Sequence, residues 1–257
     1  MDAEGLFKID ILSNRGLAQL LDVSKLDIEK YPREDLLTEM LLEDGDVLGL
    51  TFAETPVMKK VVKCLKPNSV DDLAICLALI RPAASSGGRK QKYLESVIAG
   101  NMEETIIFDD DALSYIQKII NCEPGEADKY RRSFAKNKKK DIKQFEQLVS
   151  GFKNKNEIVD NLKQLQKYSF CKSHAYSYAK LVWALAYQKA HNPVKFWVST
   201  LNHCNTSYRD WVHYNELKKY DIELTLGKRP WVLKNKKLVS IDIKKRRKDY
   251  DLKNRIQ

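Results

Sequence analysis

Lys172, Ser173 and His174 open a segment that stays nearly free of charge as far as Lys189; Lys180 alone interrupts it, and Pro193 stops it. A run of that length and apolarity reads as a buried helix. The N-terminus of a helix carries partial positive charge and unpaired N–H groups, so it favours anions. A lysine and an imidazole in that first turn make it suited to phosphate; the plainer reading is a core helix with ordinary polar capping. Arg131 and Arg132 point to the same chemistry, because guanidinium groups give bidentate, permanently charged contacts to phosphate. Adjacent helical residues diverge by ~100°, so one arginine can meet a phosphate while the other meets a different partner. Lys136 lies one turn below Arg132. Without further support this remains equally a solvated basic helix.

Asp10 and Lys8 form a second candidate pair. Gly5-Leu-Phe-Lys-Ile-Asp-Ile-Leu12 alternates, with Phe7, Ile9 and Ile11 on one face and Lys8 and Asp10 on the other, the pattern of a short strand with one buried face. Residues two apart on a strand lie about 6.6–7 Å apart, so a metal-binding carboxylate would sit beside a phosphate-binding lysine. Ordinary surface charges on an exposed strand fit as well. Asp109-Asp-Asp111 is the other acidic cluster to weigh as a metal site. It directly precedes the run Ala112–Ile120, where acids cap a helix start, and consecutive residues point apart, so capping is expected. His191 is expected to be a helix C-cap or core histidine, and His203 and His213 have neither metal spacing nor evident partners.

The elements that must position these residues are mostly helical. From Arg15 to Ile120 the pattern gives several amphipathic helices, broken at Tyr31-Pro32, Gly45, Lys66-Pro67-Asn68 and the loop from Pro82 to Gly88. Basic residues dominate from Lys129 to Lys172, densest at Lys138-Lys139-Lys140, with helices expected from Ile142 to Gly151 and from Glu157 to Lys167. Pro230 to Ile241 reads as a hairpin turning at Lys234-Asn-Lys, and Lys244–Lys248 begins a charged tail expected to be disordered.

Composition adds bounds. The chain has 257 residues, a net charge of +10, 31% charged and 43% hydrophobic residues, which suits a globular protein with a polyanionic partner or simply a basic surface. No apolar run reaches the ~18–20 residues of a membrane span, and the N-terminus does not read as a signal peptide. Five scattered cysteines without a Cys-x-x-Cys pair argue against zinc and a disulfide framework.

Four ordered blocks carry a resemblance. Lys172-Ser-His-Ala through Lys189-Ala-His-Asn-Pro193, Gly45 through Met58, Leu65 through Pro82, and Gly125-Glu-Ala-Asp-Lys-Tyr-Arg-Arg-Ser-Phe-Ala-Lys136 each match a motif of one family at family-like spacings. The chain resembles the fingers domain of the C family of DNA polymerases, the bacterial DNA polymerase III α subunits, over about residues 5–200. The resemblance implies a mainly α fold: a helical fingers-type domain, a short N-terminal palm strand, and a small β-hairpin and basic tail at the C-terminus. The corresponding division is 1–24 palm remnant, 25–200 fingers, and 201–257 extension.

The resemblance also implies roles. Lys8, Arg81, Arg131, Arg132, Lys136, Lys172 and His174 would hold the incoming deoxynucleoside triphosphate. Lys138, Lys139 and Lys140 would meet DNA. Asp10 aligns with the third catalytic aspartate, a ligand for Mg²⁺. The family's other two aspartates belong to a Pro-Asp-x-Asp motif that this sequence lacks, and two metals about 3.5–4 Å apart need more than one carboxylate. The chain alone is therefore expected to be inactive. It reads either as a split piece completed by a partner chain that carries the remaining palm, or as a non-catalytic remnant that binds DNA or nucleotide. Bacterial or phage cytoplasm, or a host compartment if the source is a large DNA virus, is the expected location. Three departures from the family pattern stand out: Ala83-Ala84 for Gly-Pro, Asp109 and Ala112 for Tyr and Gln, and Ser169-Phe-Cys-Lys172 for Gly-Phe-Asn-Lys.

Overall fold

The computed structural model describes residues 13–80, 95, 106–163, 171–203, 208–225 and 227–240. The expected palm strand with Lys8 and Asp10, Arg81 with the loop after it, and the basic tail lie outside the described residues.

Helix starts follow local capping chemistry. Asn14, Asp35, Thr55 and Ser69 each accept a backbone hydrogen bond from the first turn of the helix that follows: α1 (Arg15–Val23), α2 (Leu36–Glu43), α3 (Pro56–Leu65) and α4 (Val70–Leu79). Pro56 sits in the first turn of α3, where its missing N–H costs nothing, and Lys66 ends that helix in the left-handed region at φ 46°. A single 3₁₀ turn, Ile28–Lys30, separates α1 from α2.

Four helices come next: α5 (Asp109–Ile120), α6 (Pro124–Ala135), α7 (Lys139–Leu148) and α8 (Lys155–Lys163). They close over their own core of Ile116, Tyr130, Phe134, Phe145, Val149 and Leu162. Two expected boundaries are corrected here. The helix expected from Ile142 starts at Lys139 and ends at Leu148; the one expected from Glu157 starts at Lys155. Three lysines oppose the dipole at the start of α7, but Asp141 in the first turn offsets them.

The buried helix read from the sequence is α9 (Lys172–His191), 20 residues long, and it is the axis of the larger core. Its Val182, Trp183 and Leu185 share that core with Leu20, Leu42, Leu77 and Trp197. Helices α1, α2, α4 and α10 (Pro193–His203) pack around it. Helix α11 (Asp210–Lys218) follows, then a small sheet in the order β1 (Glu223–Leu224), β3 (Lys237–Ser240), β2 (Trp231–Lys234). The hairpin is present: β2 and β3 pair antiparallel, with Trp231 opposite Ser240, and Asn235 and Lys236 turn it at φ 45° and 58°. Trp231 and Leu238 pack into the larger core. The chain is mainly α with one small sheet. No described helix is long and apolar enough to cross a membrane.

Candidate nucleotide and nucleic-acid interface

Helix α9 meets the start of α5 at its N-terminal end, where the backbone N–H of Lys172 donates to Asp110. Lys172, Ser173 and His174 are all exposed there. Cys171 is the N-cap of α9. The Ser173 hydroxyl lies 2.9 Å from its Sγ and, with the backbone N–H groups of His174 and Ser173, holds the thiol below its usual range.

The Asp109-Asp110-Asp111 run splits three ways, as divergent consecutive residues must. Asp111 caps α5, accepting from the N–H of Ile107 at 3.0 Å and of Phe108 at 2.9 Å. Asp110 accepts from the backbone N–H of Lys172 at 2.9 Å. Asp109 accepts from Arg131 Nη1 at 3.3 Å. The α9 terminus and the Arg131 guanidinium are therefore held by neighbouring residues, whose Cα atoms are about 3.8 Å apart.

The two arginines differ in exposure, but both guanidinium groups reach one carboxylate, Asp128, rather than separate partners. Arg131 turns inward, its side chain 19% exposed, and donates to Asp128 through Nε at 2.9 Å and Nη2 at 2.8 Å. Arg132 is 65% exposed and reaches back to Asp128 Oδ2 at 2.6 Å. Those bonds, that from Arg131 first, keep the Asp128 carboxyl below its ordinary value. Lys136 caps the C-terminus of α6 and is exposed. Lys138, Lys139 and Lys140 are also exposed, at the positive end of α7. Cations are disfavoured at that end by about 0.3–1 kcal/mol each. A polyanionic partner would relieve that cost.

His174 carries a feature that sequence spacing did not reveal. Its ring packs on Tyr178 at 4.4 Å between centroids, and Tyr178 meets the edge of Phe52 at 4.5 Å. Phe52 sits at φ 75°, left-handed backbone that costs a bulky residue about 1–3 kcal/mol.

The remaining histidines hold the scaffold. His191, at the last turn of α9, stacks on Tyr187 and pairs with Asp35 at 3.0 Å. Burial raises the Asp35 pKa, but the bonds from Thr38 and His191 outweigh it and the net shift is downward. The expectation that His203 and His213 lack partners is corrected. His203 pairs with Asp22 at 2.6 Å, and His213 pairs with Glu54 at 2.5 Å with both side chains buried. Glu54 also accepts from the N–H of Gly49 at 2.7 Å. Lys189 is buried beside this pair's neighbours, donating to Asp46 Oδ1 and to the carbonyls of Asp46 and Leu48, with Trp197 4.9 Å away. Burial pushes its pKa down.

Among the described residues, no three His, Cys, Asp or Glu side chains gather as a metal site requires. The three carboxylates of the Asp109 run are each committed elsewhere. The described residues do not fit a two-metal centre, and no chemical step is routed through one.

The chain is a mainly helical domain in which neighbouring carboxylates at the start of α5 accept from the Arg131 guanidinium and from the first backbone N–H of α9. Residues 14–156, more than half of the chain, match the family model described as bacterial DNA polymerase III alpha subunit finger domain, and the chain belongs to that family. It is 29% identical over 225 residues to the DNA polymerase III subunit alpha of Halalkalibacterium halodurans, covering 76% of this chain and 20% of that protein. The Bacillus subtilis subunit is 28% identical over 222 residues, covering 75% and 20%. The error-prone DNA polymerase of Dechloromonas aromatica is 28% identical over 235 residues, covering 79% and 23%. The chain thus spans about a fifth of the length of the curated relatives it matches.

Proposed function

We propose that this fingers domain holds the triphosphate of an incoming deoxynucleotide during template-directed DNA synthesis. Arg131, Arg132, Lys136 and the first turn of α9, with Lys172 and His174, form the anion site. Lys138, Lys139 and Lys140 meet the DNA backbone. Lys8, Arg81 and Asp10 keep the roles that the resemblance gives them, with a partner chain supplying the remaining palm carboxylates. The observation that supports this reading is the link from Lys172 through Asp110 and Asp109 to Arg131, which joins two separately read motifs in one place.

A second reading, a binding remnant without chemistry, draws on Arg131 being neutralised by Asp109 and Asp128. Calorimetric titration with a deoxynucleoside triphosphate tests the shared element of both. Arg132→Ala and Arg132→Lys should each weaken binding, because a point charge does not reproduce a bidentate contact. Wild-type affinity in both variants would remove the arginine pair from the site.

A further inference from the structure

We propose that the turn from Asp46 to Glu54 is a conformational device that couples the seating of α11 to the ring of Phe52. While α11 is seated, His213 holds Glu54, Glu54 holds the turn, and the turn holds Phe52 against Tyr178. When α11 lifts away, Phe52 leaves Tyr178.

Phe52 is the strained end of this device. It sits at φ 75°, a backbone that a bulky side chain adopts only where its surroundings impose it. Burial does not supply the compensation, because the residue is 38% exposed. Its ring meets Tyr178 edge-on at 4.5 Å and lies over the bare backbone of Gly16, where a Cβ would come within 2.8 Å of Phe52 Cε2. The turn itself imposes the conformation, and three helices hold the turn. Lys189 of α9 donates to the carbonyls of Asp46 at 2.9 Å and Leu48 at 2.7 Å. Gln19 of α1 donates to the carbonyl of Gly49 at 2.8 Å and accepts from the Thr51 hydroxyl at 2.5 Å. Glu54 closes the turn on itself, accepting from the N–H of Gly49 at 2.7 Å, and α11 holds Glu54 through His213.

Helix α11 is the hold that can let go. It has nine residues, of which only His213 and Leu217 are buried, too little apolar surface to fix so short a helix firmly. His213 Nε2 meets Glu54 Oε1, the same oxygen that accepts from Gly49. The Glu54 side chain is 1% exposed. Deprived of the imidazole, its carboxylate lies in the interior with less of its charge matched, and is driven toward water or a new partner. Either movement takes Oε1 off Gly49 and frees the half of the turn that carries Phe52. The coupling is reciprocal, so whatever holds Phe52 on Tyr178 also favours the seated helix.

The test is NMR of the full chain with labelled aromatic rings. The wild type should show a cross-peak between the rings of Phe52 and Tyr178. His213→Ala should abolish it while the Tyr31–Tyr187 ring contact of the same core persists. His213→Gln, whose amide can donate to Glu54, should restore it. A cross-peak that survives His213→Ala, that stays lost in His213→Gln, or that is lost together with the Tyr31–Tyr187 contact would overturn the device. Tyr178→Ala approaches from the other end and keeps the test open if His213→Ala fails to fold. It should speed amide hydrogen exchange in α11 by about twofold to tenfold, the worth of one aromatic pair, and leave exchange in α2 unchanged. Exchange in α11 no faster than in the wild type, or faster by the same factor in α2, would overturn the coupling.

Discussion

The carboxylate of Asp110 accepts a hydrogen bond from the backbone N–H of Lys172 at 2.9 Å, across 62 positions of the sequence. That bond ties the start of α5 to the start of α9. The neighbouring residue, Asp109, accepts in turn from Arg131 Nη1 at 3.3 Å.

Glu54 should prove structural. It takes one bond from Gly49 N–H and one from His213, in a region where both side chains are buried. Glu54→Ala leaves a donor and an imidazole without their carboxylate, and about 3–5 kcal/mol of stability should be lost. Urea unfolding measures it. A loss below about 1 kcal/mol would mean that water or a neighbouring group replaces the carboxylate.

Gly49 should tolerate no side chain. Its φ is 81°, and a Cβ there would lie 2.8 Å from Trp197 and 2.9 Å from Phe196, both rigid core rings. Gly49→Ala should cost about 1–3 kcal/mol from overpacking, with the left-handed backbone adding to it. An unchanged urea midpoint would contradict the packing described around α10.

Asp128 gives a pH dependence with a definite sign. Its folded-state pKa lies below the ordinary 3.8, chiefly through the bond from Arg131. The unfolded chain then binds more protons than the folded one between those two values, so stability rises with pH across that window. The contribution is complete above about pH 4 and disappears as the pH falls through the folded value. Wild type and Asp128→Asn should differ in urea midpoint at pH 7 and converge as the pH falls through the folded-state value, below 3.8. A gap that persists in acid would place the effect of the substitution outside the ion pairs.

Lys138, Lys139 and Lys140 should bind DNA through phosphates. Replacing all three with Ala should weaken binding at about 50 mM salt and lower the slope of log K against log salt by up to about 3, one unit for each phosphate no longer neutralised. A slope unchanged by the substitutions would take these lysines out of the interface.

Much of the fold was legible because its signals are local. Helix α9 showed as a long apolar run closed by Pro193, and the turn of α5 showed as three acids before an apolar pattern. The start of α7 was read three residues late because lysines oppose the dipole there. Strand β1 has only two residues and exists by pairing parallel to β3, which no local pattern announces. In the site, the arginine pair and Lys172 were legible as residue types. The pairing of Glu54 with His213 was not, since 159 positions separate them. Nor was the run of ring contacts from His174 through Tyr178 to the edge of Phe52, which tertiary packing makes.

The central claim is that the arginine pair of α6 and the first turn of α9 form one anion site. The direct measurement is an NMR titration of the labelled chain with a deoxynucleoside triphosphate, following the backbone amides of Lys172, Ser173 and His174 and the side-chain Nε–H signals of Arg131 and Arg132. The account predicts that both groups shift together along one binding curve, and that Arg132→Ala weakens that curve by about 1.5–3 kcal/mol, the range of a charge-assisted hydrogen bond. Shifts confined to one group, or two groups that titrate with different midpoints, would contradict it.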